Sequence, residues 1–119
     1  MAATLCVSGH AAKGRAQIDL DNWDADEAVI VTSVDLALVH KERTETFTLP
    51  RGIRVEPDSD EHIDVTDALK NLVVENGESQ VRVTVKGSPD YAISQREGIF
   101  AVATHKGRFS YFGFDHFSN

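Results

Sequence analysis

The amino-acid sequence predicts an all-β protein, an antiparallel β-sandwich of the jelly-roll type with one short α-helix near residues 66–75. Three observations predict this fold. Hydrophobic and polar residues alternate in most segments, a single segment shows helical spacing, and a glycine-containing turn separates the last two apolar segments. A length of 119 residues is typical of one domain, so we expect residues 1–119 to form a single sandwich.

The alternating segments are the predicted strands. Alternation at every second residue places one side of a strand on a core and the other in water, which is typical of antiparallel sheets. In the clearest case, Val81, Val83 and Val85 alternate with polar side chains. The same pattern predicts strands in 15–20, 33–38, 46–49, 99–104 and 108–117, the last two joined by a hairpin turn at His105-Lys106-Gly107. The polar stretches 8–14, 21–27, 52–61 and 86–90 are predicted connections.

One segment breaks the alternation. Leu69, Leu72 and Val73 stand at helical spacing, and Thr66 is well suited to cap the N-terminus of a helix. Asn76-Gly77 supplies a left-handed stop. We therefore expect a helix of two to three turns whose three apolar side chains are buried under one end of the sandwich.

The start of this helix carries a family resemblance. The segment His62–Leu69 contains Asp64-Val65-Thr66 followed by the predicted helix. It resembles the DNRLRE-type carbohydrate-binding and cell-surface modules, in which a strand ending in Asp-Val-Thr leads into a short helix that plugs one end of a jelly roll. The resemblance extends over about residues 15–112 and implies the jelly-roll fold and carbohydrate binding. The tryptophan usual in that helix is absent from this sequence.

Charge and composition exclude several classes of partner. The net charge of −7 disfavours nucleic acid and anionic membrane surfaces, because both are bound mainly through clustered Lys and Arg. The first residues contain no basic region followed by a long apolar stretch, so we expect a chain made in the cytoplasm without a signal peptide. Cys6 is the single cysteine and is expected to be a buried apolar residue.

Candidate sites for metal or catalysis are weak. Residues 19–27, called the acidic loop below, contain carboxylates that are candidate calcium ligands, but they lack the order of an EF-hand loop. We interpret the loop as a solvated turn. The five histidines form no His-x-His or His-x-x-x-His pair, and no nucleophile elbow, P-loop or dinucleotide-binding pattern occurs. The sequence therefore predicts no metal, no cofactor and no catalytic residues. The carboxylates of the acidic loop are Asp19, Asp21, Asp24, Asp26 and Glu27.

Trp23 is the first candidate binding residue. It is the only tryptophan and lies in the acidic loop. An exposed aromatic side chain beside Asp and Asn is a possible sugar platform. A tryptophan that caps the end of the sandwich is the alternative.

The C-terminal aromatic residues are the second candidate. Five of the nine aromatics fall in the last 11 residues. Strand alternation would place Phe109 and Tyr111 on one face and Phe112 and Phe114 on the other, unless a bulge at Gly113 reverses the facing. Apolar residues on both faces indicate burial inside the domain or against another chain. The predicted interface residues are Phe109, Tyr111, Phe112, Phe114 and Phe117.

Three functional hypotheses follow. The favoured one is a non-enzymatic assembly protein, specifically a virion subunit that decorates or cements a capsid. Its partners would be itself, preferably as a trimer, and a larger protein shell. The second hypothesis is a carbohydrate-binding module with a glycan as partner. The third is a small β-barrel enzyme.

Overall fold

A computed structural model of the chain describes residues 5–24, 26–39, 43–88 and 95–113, and for 43–51 and 95–97 it describes the backbone alone. These residues form eight strands and one helix. In chain order they are β1 (Leu5–Ala12), β2 (Arg15–Asn22), β3 (Val29–Leu38), β4 (Arg43–Val55), β5 (Ser59–Asp64), α1 (Thr66–Leu72), β6 (Gly77–Ser88), β7 (Gln95–His105) and β8 (Arg108–Phe112).

The strands form two antiparallel sheets. One has three strands in the order β1-β2-β5, and the other has five in the order β4-β3-β6-β7-β8. The two sheets approach each other where the Gly9 amide donates a hydrogen bond of 3.2 Å to the Gly113 carbonyl. The structure thus confirms the predicted all-β sandwich with one short helix.

The core lies between the inner faces of the two sheets, as the alternation predicts. Val81, Val83 and Val85 of β6 are fully buried, and their polar neighbours are partly or fully exposed. Cys6 is also buried, as expected. The largest fully buried side chains are Phe100, Phe112, Leu5, Ile18, Leu20, Leu36 and Leu69.

A bulge in β3 keeps its apolar residues on the core side. Val31 pairs with Gly87 but Ser33 pairs with Lys86, so Thr32 is an extra residue opposite β6. Val31 and Val34 are both fully buried although they are an odd number of residues apart. The backbones approach closely here: a Cβ atom on Gly87 would lie 2.1 Å from the carbonyl oxygen of Ile30.

The helix α1 closes one end of the sandwich. Leu69, Leu72 and Val73 are buried, which confirms the predicted apolar face. The helix packs against β2, β3 and β4. It ends at Leu72, earlier than the predicted limit, and Val73 already has an extended conformation.

Thr66 has a different role from the predicted one. Val65 occupies the N-cap position, and the buried Thr66 is the first residue of α1. Its hydroxyl oxygen accepts a hydrogen bond of 2.9 Å from the Ala16 amide and donates one of 3.2 Å to the Ala16 carbonyl. Because Ala16 belongs to β2, Thr66 joins the helix to the three-stranded sheet instead of capping the helix.

The predicted facing of the C-terminal strand is wrong. Thr104 pairs with Phe109 but Ala103 pairs with Tyr111, so Ser110 is an extra residue in β8. This bulge turns Phe109 and Phe112 to the same side, into the core, and leaves Tyr111 on the outer side. The reversal occurs at Ser110 and not at Gly113, the residue at which the sequence left a bulge open as an alternative. Phe114 and Phe117 lie outside the described residues.

Candidate binding surfaces

The predicted interface residues separate into two groups. Phe109 and Phe112 are only 4% and 2% exposed, and the Phe112 ring lies 5.5 Å from that of Phe100. Both side chains are therefore buried in the chain's own core and present no surface to a partner. Tyr111 is 36% exposed and is the described member of the predicted set that reaches the surface.

An exposed apolar strip runs along the outer face of the five-stranded sheet. Ile99, Ala101 and Ala103 alternate with core residues along β7, and Tyr111 is paired with Ala103 in β8. Ile99 is 41% exposed and lies on the part of β7 that pairs with β6, beyond the residues that pair with β8. We call these four residues the apolar strip. Two large side chains thus flank two small ones.

Opposite charges border the apolar strip on β6. In the register of β6 and β7, Glu78 pairs with Ala103, Gln80 with Ala101, and Arg82 with Ile99. All three polar side chains are exposed. Within the described part of the chain, neither Glu78 nor Arg82 forms an ion pair. One carboxylate and one guanidinium are therefore placed symmetrically about Gln80, each two residues away.

A groove of about 500 Å³ adjoins the same surface. Its lining is apolar at Leu38, Val39 and Ala101 and carries the carboxylates of Glu75 and Glu78. No described residue forms an ion pair with Glu75. A groove with apolar walls and two carboxylates is suited to a long cationic side chain. The methylene groups of such a side chain can lie against the apolar walls while its charged head binds the carboxylates.

Trp23 projects from the acidic loop and is 64% exposed. A side chain this exposed does not cap the sandwich. The neighbouring Asn22 is buried and fixes the loop. The Asn22 side-chain amide donates hydrogen bonds of 2.8 Å to the Glu27 carbonyl and 3.1 Å to the Val55 carbonyl. Its oxygen accepts one of 3.0 Å from the Asp24 amide. Trp23 therefore stands on a loop that is fixed by hydrogen bonds.

The acidic loop is ordered by its own backbone. One carboxylate oxygen of Asp24 accepts hydrogen bonds from the amides of Asp26 and Glu27, at 2.7 and 3.1 Å. Among the described residues, no group of three or more His, Cys, Asp or Glu is arranged to hold a metal ion. The geometry of the loop therefore has an explanation that involves no cation.

A histidine links two strands on the outer face of the three-stranded sheet. The imidazole Nδ1 of His62 lies 2.6 Å from a carboxylate oxygen of Asp19, and its Nε2 lies 3.5 Å from one of Asp60. The hydrogen bond to Asp19 raises the pKa of His62, because it stabilises the charged imidazolium. Burial and the neighbouring carboxylates, Asp60 first, raise the pKa of Asp21 on the same face. The cluster joins β2 to β5.

The Asp64-Val65-Thr66 motif makes the junction between β5 and α1. The Asp64 carboxylate accepts a hydrogen bond of 2.9 Å from the Thr66 amide and forms an ion pair with Arg15 of β2. The Arg15 hydrogen bond is the main reason why the pKa of Asp64 falls to about 2. These contacts explain structurally why an Asp and a Thr stand in this motif.

The apolar strip was not predicted, although the sequence contains a signal for it. Apolar side chains occupy both parities of β7: Phe100 and Val102 inside, and Ile99, Ala101 and Ala103 outside. This is the two-sided apolarity that the sequence indicates for β8. In β8 it arises from a bulge, whereas in β7 it leaves an apolar surface in water.

The described residues include no helix long and apolar enough to cross a membrane.

Comparisons with known proteins identify no relative. No family model, no curated protein and no solved structure matches the chain.

Proposed function

We propose that this chain is a non-enzymatic assembly protein whose β-sandwich associates with a second copy of itself. The observation that carries the proposal is the apolar strip, where Ile99 and Tyr111 are exposed on the outer face of the five-stranded sheet. Apolar side chains grouped on a sheet face are typical of interaction surfaces, and aromatic residues are enriched at the buried centres of interfaces.

The shape of the strip supports sheet-to-sheet packing. Facing sheets lie about 10 Å apart, and their side chains interdigitate when large residues oppose small ones. Ala101 and Ala103 leave shallow positions between the larger Ile99 and Tyr111. A flat surface with this relief suits another sheet better than a small polar molecule.

The finer form of this proposal is a subunit that decorates or cements a larger protein shell, such as a virion capsid. The net charge of −7 disfavours binding to packaged nucleic acid and agrees with a role on the outside of a shell. A symmetric oligomer presents identical surfaces around one axis, as attachment to a symmetric shell requires.

Sedimentation velocity and light scattering test the self-association. We expect the wild type to be an oligomer at micromolar concentration and Ile99→Asp to shift it towards the monomer, with Tyr111→Ala weaker in the same direction. Lys70→Ala on the exposed side of α1 is the control, and circular dichroism verifies folding. A wild type that stays monomeric at millimolar concentration contradicts the proposal.

Carbohydrate binding at Trp23 is the second candidate function. The observation that favours it is an indole that is 64% exposed on an ordered loop that also carries carboxylate side chains. Aromatic faces provide apolar stacking surfaces, and neighbouring polar groups can bind hydroxyls. A glycan array with the wild type and Trp23→Ala tests it. Specific signals that are lost in the variant would favour this function, and an array without signals would reject it.

A further inference from the structure

The charges and sizes along the apolar strip specify how a second copy would be oriented. From this pattern we infer that two copies pair face to face about a two-fold axis. The axis lies between the facing sheets, perpendicular to the strands, at the pair formed by Gln80 and Ala101. This inference rests on the proposed self-association and adds its partner orientation and contacts.

The register of β6 and β7 makes the surface self-complementary about this axis. Glu78 and Arg82 lie on the same strand face, each two residues and roughly 7 Å from Gln80. Rotation by half a turn about the axis therefore places Arg82 of one copy opposite Glu78 of the other, and the reverse. A two-fold interface repeats every such contact, so two ion pairs form.

The apolar residues obey the same operation. Ile99 pairs with Arg82, and Ala103 pairs with Glu78, so the rotation places Ile99 of one copy over Ala103 of the other. A large side chain thus meets a small one. Tyr111 lies beside Ala103 in β8 and would form a wall of the position that receives Ile99. Facing sheets cross at about 30°, which displaces these contacts sideways by less than one strand spacing.

The groove beside Glu78 gains an occupant in this arrangement. Its two carboxylates, Glu75 and Glu78, have no ion-pair partner among the described residues, and neither has Arg82. The second copy's guanidinium would enter between them, with its methylene groups against Val39. Arginine suits this position because its planar head has five donors for carboxylate oxygens.

A different axis fails on charge. A two-fold axis parallel to the strands along β6 would place Arg82 opposite Arg82 and Glu78 opposite Glu78. Like charges opposed at an interface are unfavourable. The pattern therefore selects the perpendicular two-fold axis over the parallel one, and a dimer about it differs from the trimer expected from the sequence.

Charge reversal tests the orientation. Arg82→Glu and Glu78→Arg should each raise the dimer dissociation constant by about tenfold or more, because each replaces two attractions by two repulsions. An equimolar mixture of the two variants should form a heterodimer, since one surface is then all negative and the other all positive. Native mass spectrometry distinguishes the heterodimer from both homodimers by mass. Lys70→Glu is the matched control and should leave the dissociation constant unchanged.

The outcomes separate the two proposals. A wild-type dimer that Ile99→Asp dissociates, but that charge reversal leaves intact, would overturn the two-fold orientation and keep the self-association. A trimeric wild type would likewise overturn the two-fold orientation and keep the self-association. A monomeric wild type at millimolar concentration would overturn both. Circular dichroism of each variant excludes unfolding as the cause of a lost dimer.

Discussion

Truncation of Leu69 is the sharpest test of how the helix closes the sandwich. Leu69→Ala removes three carbon atoms from a side chain with 0% exposure, where α1 packs against β2, β3 and β4. At about 0.8 kcal/mol for each buried methylene, the lost transfer free energy is about 2.4 kcal/mol. The cavity left behind adds to this, so we expect the free energy of unfolding to fall by about 3 kcal/mol or more. Alanine is the best helix former, so the loss reports packing and not helix propensity.

Urea unfolding followed by far-UV circular dichroism measures this loss. Trp23 is exposed, so its fluorescence would report poorly on the core. With a slope of about 1–3 kcal/mol per molar urea, the midpoint should fall by about 1–3 M. Lys70→Ala changes the next residue on the exposed side of the same helix and should shift the midpoint little. If both variants unfold at the same urea concentration, α1 does not close the core as described.

Three further predictions follow from the described contacts. Gly87→Ala should strongly lower the melting temperature in a thermal scan, because its Cβ would lie 2.1 Å from the carbonyl oxygen of Ile30; an unchanged temperature would contradict the bulge in β3. Asp64→Asn should lower the melting temperature at about pH 6, because the ionised carboxylate pairs with Arg15 in the folded state. The difference from wild type should shrink as the pH falls below about 4 and vanish below about 2, where the carboxylate is protonated in the folded protein as well. A difference that persists at the lowest pH would exclude this ion pair as its source. A calcium chelator should leave the melting temperature unchanged, because hydrogen bonds order the acidic loop; a decrease reversed by calcium would show a bound cation.

Some elements could be predicted because their pattern is local. Val81, Val83 and Val85 show the period of a strand, and each is fully buried. Leu69 and Leu72 show the period of a helix and lie in one. In both cases the residues on one face of the element are buried together. The apolar residues therefore recur with the period of the strand or the helix.

The alternation pattern did not predict two strands, because their residues do not alternate by polarity. Half of β5 lies in a stretch expected to be a connection, and five of its six residues are not buried. Much of β1 lies in another such stretch, with Ser8, Gly9 and His10 at its centre. Both strands lie at the edges of the three-stranded sheet. An edge strand pairs with only one other strand and needs little side-chain burial. Backbone pairing with β2, which involves no side chain, makes them strands.

The binding surface shows the same division between local pattern and tertiary arrangement. The C-terminal aromatic residues were expected to be buried inside the domain or against another chain. Phe109 and Phe112 are buried inside it, because Ser110 is an extra residue relative to β7, and Tyr111 is exposed. A bulge depends on the register with a neighbouring strand, and that register is absent from the pattern of one strand.

The residue types and the spacing of apolar residues therefore specify the class of fold and the apolar face of the helix, because each segment shows in its own sequence which side is buried. The pairing of Ile99 with Arg82 and of Ala103 with Glu78 joins residues from β6 and β7, and the pairing of Ala103 with Tyr111 adds β8. Only the folded sheet brings these side chains onto one surface, since strand register and bulges depend on contacts between segments distant in the chain.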